Sequence, residues 1–231
     1  MQHINLQHFL DLDLPFFEPK NIRRGGWSGV SRVECAGLAY FVKRQVNHSY
    51  REPRRFFLRT PTLRREYINI LRLQSIDVGT PEIVLYAETG QDAMLITREL
   101  AGYIDLDNFL AITTDTAARE TMFSTLVNTL LKMHEGNFLH GCLYGKHIMV
   151  DASEPANIAT IDLEKMRFSI GRQRNACKDI SQLLRHTTGI KDSERDLIVA
   201  AYERRFTGFT VLLNQRTNKK LTPITDEVTG C

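Results

Sequence analysis

The spacing of hydrophobic positions changes character near residue 101, where short β-rich runs give way to long stretches of helical period. Residues 30–35 and 38–42 read as strands joined at Ala36-Gly37, and residues 83–86 and 93–97 as a second pair around Glu88-Thr89-Gly90. Between the pairs, Leu63, Tyr67, Ile70, Leu71 and Gln74 trace a helical face over about 62–75, stopped before Gly79-Thr80-Pro81. In the second half, Met122, Phe123, Leu126, Val127, Leu130, Leu131 and Met133 mark a helix over 116–135 with Gly136 as its stop. Two short β-like runs follow at 147–150 and 158–161, then helices at about 179–186 and 193–206. From about Asn214 the chain turns polar and reads as frayed. The pattern predicts an α+β protein of two lobes, an N-lobe of antiparallel sheet with one helix over residues 1–100 and a mainly helical C-lobe over 101–231.

Composition narrows the class without naming a function. The 231 residues, 42% of them hydrophobic, are enough for a full core. A net charge of +3 does not call for nucleic acid, and no basic stripe or binding motif does either. The N-terminus, with Asp11 and Asp13 among its apolar residues, does not read as a secretory signal, and no run approaches the roughly 18 apolar residues of a membrane span. Four cysteines without CxxC spacing fit a reducing compartment, so a cytoplasmic location is expected.

Candidate chemistry sits at four places. Gly25-Gly26-Trp27-Ser28-Gly29 follows a basic approach and opens a strand, where glycines Gly25, Gly26 and Gly29 and the Ser28 hydroxyl could meet phosphate oxygens, or serve only the turn. Lys43 is the lone charge of an apolar strand, aimed inward beneath that turn, and an inward ammonium needs a counter-ion, for which Glu66 on the following helix is the natural choice. His140-Gly141-Cys142-Leu143-Tyr144-Gly145-Lys146-His147 lies between the long helix and a β-run. Ile161-Asp162-Leu163-Glu164 ends the next one. Each piece is common; the ordered set is the order of a kinase catalytic loop and metal-binding aspartate.

The wording of residues 140–147, with Ile-Asp-Leu-Glu-Lys after it and Pro61-Thr62-Leu63-Arg64-Arg65-Glu66 before it, resembles the lipopolysaccharide core kinases of Kdo and heptose, and most closely their InaA-like relatives. The resemblance runs from about Ile22 to Tyr202 and implies a protein-kinase-like fold of a Gram-negative bacterium, with ATP and Mg2+ as cofactors. It implies that Lys43 holds the α- and β-phosphates, that Glu66 orients Lys43, and that Asp162 and His147 bind the metal. Glu99 to Ala101 would form the hinge near adenine, and Asp179 would brace the catalytic loop. Cys142 is the departure: it stands where an active kinase has the aspartate that accepts the hydroxyl proton. His140 or Glu164 are the other groups that could serve as base.

Two functions fit these residues. One is a kinase acting on a sugar hydroxyl of the lipopolysaccharide inner core at the cytoplasmic face of the inner membrane. The other is a pseudokinase that binds nucleotide or a partner without efficient transfer. Arg51, Arg54, Arg55, Arg59, Arg64 and Arg65 interleaved with Phe56 and Phe57 suit an anionic, amphipathic partner such as a lipid A precursor, with peripheral membrane contact through Arg51, Arg54, Arg55, Phe56 and Phe57, or form an ordinary solvated loop.

Overall fold

The computed structural model describes residues 13–23, 25–52 and 58–221. Its N-lobe begins with β1 (Asn21–Arg23), β2 (Gly26–Cys35) and β3 (Leu38–Val46), continues through a hairpin of β4 (Ser49–Glu52) and β5 (Leu58–Pro61) into α1 (Thr62–Gln74), and ends with β6 (Ile83–Thr89) and β7 (Asp92–Arg98). β1, β2, β3, β7 and β6 form one antiparallel sheet in the order β1-β2-β3-β7-β6.

The period of two in β3 decides what this sheet offers to each side. Val42 and Met94 face outward with Val33 and Ile96, beneath Leu14 of the N-terminal segment. Arg44 shares that face; only 2% exposed, it donates to the Leu14 carbonyl at 3.2 Å and to Ser31 Oγ at 3.3 Å. Lys43, one residue away, is left on the other side, which faces α1. That helix buries Leu63, Ile70 and Leu73 and stacks Tyr67 on Tyr86 at 4.3 Å, so two polar residues of the same face, Glu66 and Asn69, are carried into the interior.

The C-lobe comprises β8 (Tyr103–Asp105), α2 (Leu106–Ile112), α3 (Thr116–Glu135), β9 (Phe138–Leu139), a 3-10 turn at Gly145–His147, β10 (Ile148–Asp151), β11 (Ile158–Thr160), a second 3-10 turn at Leu163–Lys165, β12 (Arg167–Phe168), α4 (Arg172–His186), α5 (Asp192–Arg205) and α6 (Phe209–Leu221). α3 is its axis: Met122, Phe123, Leu126, Leu130 and Met133 are at most 1% exposed, each burial contributing about 1.5–3 kcal/mol. Arg119, at the start of the same helix, is buried too, because Glu194 grips it through two bonds of 2.6 and 2.8 Å and the Leu110, Thr113 and Gly189 carbonyls accept its remaining protons.

The elements differ from expectation in five places, each with a local cause. The β4–β5 hairpin occupies a stretch expected to be loop; its arginines hide the strand period, and Arg51 lies directly opposite Arg59. α2 is a short helix nucleated by Asp105, whose carboxylate accepts from the Asn108 amide at 2.9 Å. α3 does stop at Gly136, but that residue keeps φ −71°, and the left-handed turn falls on Asn137 at φ +62°. α4 starts seven residues before 179, because its polar first turn, Arg172-Gln173-Arg174-Asn175, carries no apolar period. α6 continues past Asn214 to Leu221, anchored by the buried Phe209 and Leu213. Arg54, Arg55, Phe56 and Phe57, offered above as a membrane contact, lie outside the described residues.

Candidate active site

The expected constellation assembles between sheet, α1 and the turn after β11. Lys43 Nζ lies 2.5 Å from Glu66 Oε1, and Glu66 is 5% exposed. Burial pulls the Lys43 ammonium down, but the charge and hydrogen bond of Glu66, with Asp162 and Glu164 adding, hold it above the ordinary lysine value. Lys43 therefore stays charged at the end of a buried carboxylate, with Asp162 and Glu164 close enough for their charges to be felt.

Asp162 is held in the left-handed region, at φ 58° and ψ 52°. For a residue with a Cβ this costs about 1–2 kcal/mol and needs a surrounding framework to impose it. Two clamps do so. Upstream, the Ile161 amide donates to the His147 carbonyl at 3.0 Å, and His140 Nε2 lies 3.2 Å from the Ile161 carbonyl. Downstream, the Asn69 amide of α1 donates to both the Leu163 and the Met166 carbonyls at 2.8 Å, tying the helix that carries Glu66 to the turn that follows Asp162.

The loop ahead of β10 is braced from α4. Asp179 is fully buried and accepts from the His140 amide at 2.7 Å and the Gly141 amide at 2.9 Å; His134 Nε2 lies 3.2 Å from it, and Tyr202 closes the network on His134 Nδ1 at 2.7 Å. Burial holds the His140 imidazole below its ordinary value, hence neutral. A carbonyl only accepts, so Nε2 carries its proton, and Nδ1 has no partner among the described residues. Gly145 is required sterically: a Cβ there would lie 2.6 Å from the carboxylate of Asp107.

His147 ends this loop with its ring between two acceptors. Nδ1 lies 2.7 Å from the Cys142 carbonyl, and Nε2 lies 3.3 Å from Asp162 Oδ2. Nδ1 must be the donor to that carbonyl, which leaves the Nε2 lone pair of a neutral ring facing a carboxylate oxygen. Such an edge is stable only with a cation on it, either a proton or a metal. The pair therefore fits the divalent ion that a nucleotide site implies: bonds of about 2.1 Å at right angles put two ligand atoms roughly 3 Å apart.

Cys142 is 5% exposed, and its sulphur acts on Lys165, a residue the sequence did not single out. The nearby Cys142 sulphur first, against the opposing pull of burial and with the charges of Asp162 and Glu164 adding, holds the Lys165 ammonium above the ordinary lysine value. Glu164 is shifted the same way by another route. Burial first, then the negative charges of Glu66 and Asp162, hold its carboxyl above the usual carboxylate range.

The glycine turn and hinge frame the open side. Gly25 takes φ +75°, whereas Ser28 and Gly29 lie inside β2, opposite Gln45 and Arg44. A Cβ on Gly26 would meet the Asn47 carbonyl at 2.2 Å and one on Gly29 the Phe16 ring at 2.4 Å, so both glycines answer packing needs whatever else they do. At the hinge, the Glu99 amide bonds Ala39 at 2.9 Å and the Ala101 amide bonds the Glu99 carbonyl at 3.0 Å. The Glu99 carboxylate takes a two-pronged grip from Arg32 at 2.7 and 2.8 Å, and Arg32 shares its strand face with Val30, the neighbour of Lys43. Two concave surfaces, one in the C-lobe lined by Val127, Leu131, Ala201 and Arg205 and another where Gly79 meets Tyr103 and Asn157, involve none of these residues.

A small antiparallel lobe and a helical lobe, meeting at an inward lysine, its helical glutamate and a strained aspartate, define a protein-kinase-like fold. Solved structures agree: WbdD, in a co-crystal with the kinase inhibitor LY294002, matches 96% of the chain with a TM-score of 0.52 at 17% identity, the chain spanning 49% of WbdD. An aminoglycoside-3'-phosphotransferase of type VIII matches 87% of the chain and 93% of its own length, with a TM-score of 0.51 at 14% identity. The chain belongs to the lipopolysaccharide kinase (Kdo/WaaP) family, whose model matches residues 7–202. Protein InaA of Escherichia coli (strain K12) is 31% identical over 203 residues, 84% of this chain and 94% of that protein.

Proposed function

We propose that this protein is an ATP-dependent phosphotransferase whose acceptor is a sugar hydroxyl, Kdo or heptose, of the lipopolysaccharide inner core, reached at the cytoplasmic face of the inner membrane. The observation that carries the reading is the Lys43–Glu66 pair at 2.5 Å on the side of the sheet where the charge of Asp162 is felt. In it Glu66 fixes the ammonium of Lys43 against the α- and β-phosphates. Gly25, Gly26, Ser28 and Gly29 cover the phosphates, and backbone from Glu99 to Ala101 meets the base. Asp162 and His147 would hold a divalent ion, which would supply neutralisation of charge on the phosphate oxygens. The acceptor oxygen bonds to phosphorus as the bridge to the β-phosphate breaks, and the hydroxyl proton leaves to a base or to water.

Family membership supports the acceptor class. A basic face beside the site supports an anionic one. Arg51 and Arg59 stand exposed on β4 and β5, and Arg65 lies over the Tyr50 ring at 3.8 Å with its guanidinium 3.4 Å from the Glu164 carbonyl.

A second reading, a pseudokinase, has one observation in its favour: the proton-acceptor position holds Cys142, buried against Lys165. General-base help is worth about 10²–10⁴-fold, so its loss slows transfer while positioning and charge neutralisation persist. Phosphate release from ATP and labelling of lipopolysaccharide acceptor, measured with divalent metal in the native protein and in Asp162→Ala, separate the two. Turnover abolished by the substitution supports the enzyme, and nucleotide binding without turnover in the native protein supports the pseudokinase.

A further inference from the structure

We infer that the ion shared by His147 and Asp162 is a first-row transition metal, bound in preference to Mg2+. The inference rests on the phosphotransferase reading and concerns which ion its nucleotide site accepts. The decisive feature is the hydrogen bond at the far side of the ring. His147 donates from Nδ1 to the Cys142 carbonyl at 2.7 Å, which fixes the ring orientation and aims Nε2 at Asp162 Oδ2, 3.3 Å away. A ring nitrogen held by a backbone carbonyl on one side and free to donate its lone pair on the other is the ordinary arrangement of a metal-ligating histidine.

The ring is also held in place. The 3-10 turn Gly145–His147 carries it, His147 is 8% exposed, and His140 stacks parallel to it at 6.1 Å between centroids, with Tyr144 tilted against it at 5.5 Å. A neutral imidazole nitrogen is a poor ligand for Mg2+, which demands oxygen and keeps its waters, whereas d-block ions gain from it. Among the described residues no three His, Cys, Asp or Glu side chains converge on one point, so at most two side chains of these types meet here. Phosphate oxygens and water complete the shell, which places the choice of ion on the one nitrogen.

The test compares Co2+ with Mg2+ by calorimetric titration of the full chain in the presence of a non-hydrolysable ATP analogue, in the native protein and in His147→Asn. Co2+ is expected to be preferred in the native protein, with the Co2+-to-Mg2+ affinity ratio falling about tenfold or more in His147→Asn, while Mg2+ affinity changes less than about threefold. A readout in the native protein alone guards against a variant that fails to fold: the visible band of Co2+ should differ from that of Co2+ with the analogue in solution. An equal ratio in both proteins, or an unshifted band, overturns the inference and makes His147 an imidazolium partner of Asp162. If the native protein binds no nucleotide with either ion, the phosphotransferase reading fails first and takes this one with it.

Discussion

Replacing Asn69 by leucine tests whether the helix that carries Glu66 and the turn that follows Asp162 act as one unit. Asn69 is fully buried, and its single amide serves the Leu163 and Met166 carbonyls at 2.8 Å each. The two acceptors are not equivalent. Leu163 O keeps a second donor, the Met166 amide at 3.1 Å, so it loses one bond with a net value of about 0.5–1.5 kcal/mol. Met166 O is left as a buried carbonyl without that donor, at about 1–3 kcal/mol. Leucine, similar in size, keeps water from filling the gap that alanine would open. The expected loss is therefore roughly 1.5–4.5 kcal/mol, read from urea denaturation at unchanged m-value, with a fall in Tm of roughly 2–4 °C per kcal/mol. Affinity for an ATP analogue should fall as well, since the left-handed backbone of Asp162 loses its downstream clamp. A loss below about 0.5 kcal/mol, with nucleotide affinity retained, would falsify the claim that this amide couples the two lobes.

The remaining predictions follow from the charged groups. Lys43→Met and Glu66→Gln should be non-additive: because each single change strands a charge, the double variant should be more stable than the sum of the singles by about 1 kcal/mol or more, the quarter-exposed Lys43 side chain keeping the coupling modest; additive losses in a denaturation cycle would count against the pair. Glu164 has a folded-state value raised first by burial and then by Glu66 and Asp162. Its contribution to stability is thus present below the ordinary carboxylate value and lost as pH rises through the higher folded value, so the advantage of Glu164→Gln over the native protein should grow from acid to neutral pH in parallel melts. Cys142→Asp, which places a carboxylate beside the Lys165 ammonium, should raise acceptor phosphorylation by up to about 10²–10⁴-fold, and an unchanged rate would mean that another group already takes the proton.

Much of the N-lobe can be read from local patterns because the forces that shape it are local. Alternation along β3 sends Val42 and Arg44 to one face and Lys43 to the other, and the apolar period of α1 carries Glu66 inward with Leu63 and Ile70. The order of glycine turn, lysine, glutamate, histidine loop and aspartate is a property of the chain alone. Where the pattern is polar, the reading fails: the arginine-bearing β4–β5 hairpin and the first turn of α4 are set by partners, not by periodicity.

What the amino-acid order by itself determined is which side chains point inward and in what succession they occur, since strand and helix periods depend only on near neighbours. What only the tertiary structure decided is how groups distant in sequence share their protons and charges. Asn69 reaches 94 residues ahead to Leu163, His147 sets one ring nitrogen on the Cys142 carbonyl and the other beside Asp162, and Lys165 feels the Cys142 sulphur. Hydrogen bonds and ion pairs of this kind are short-ranged in space and indifferent to chain separation, so they exist only once packing has brought the lobes together.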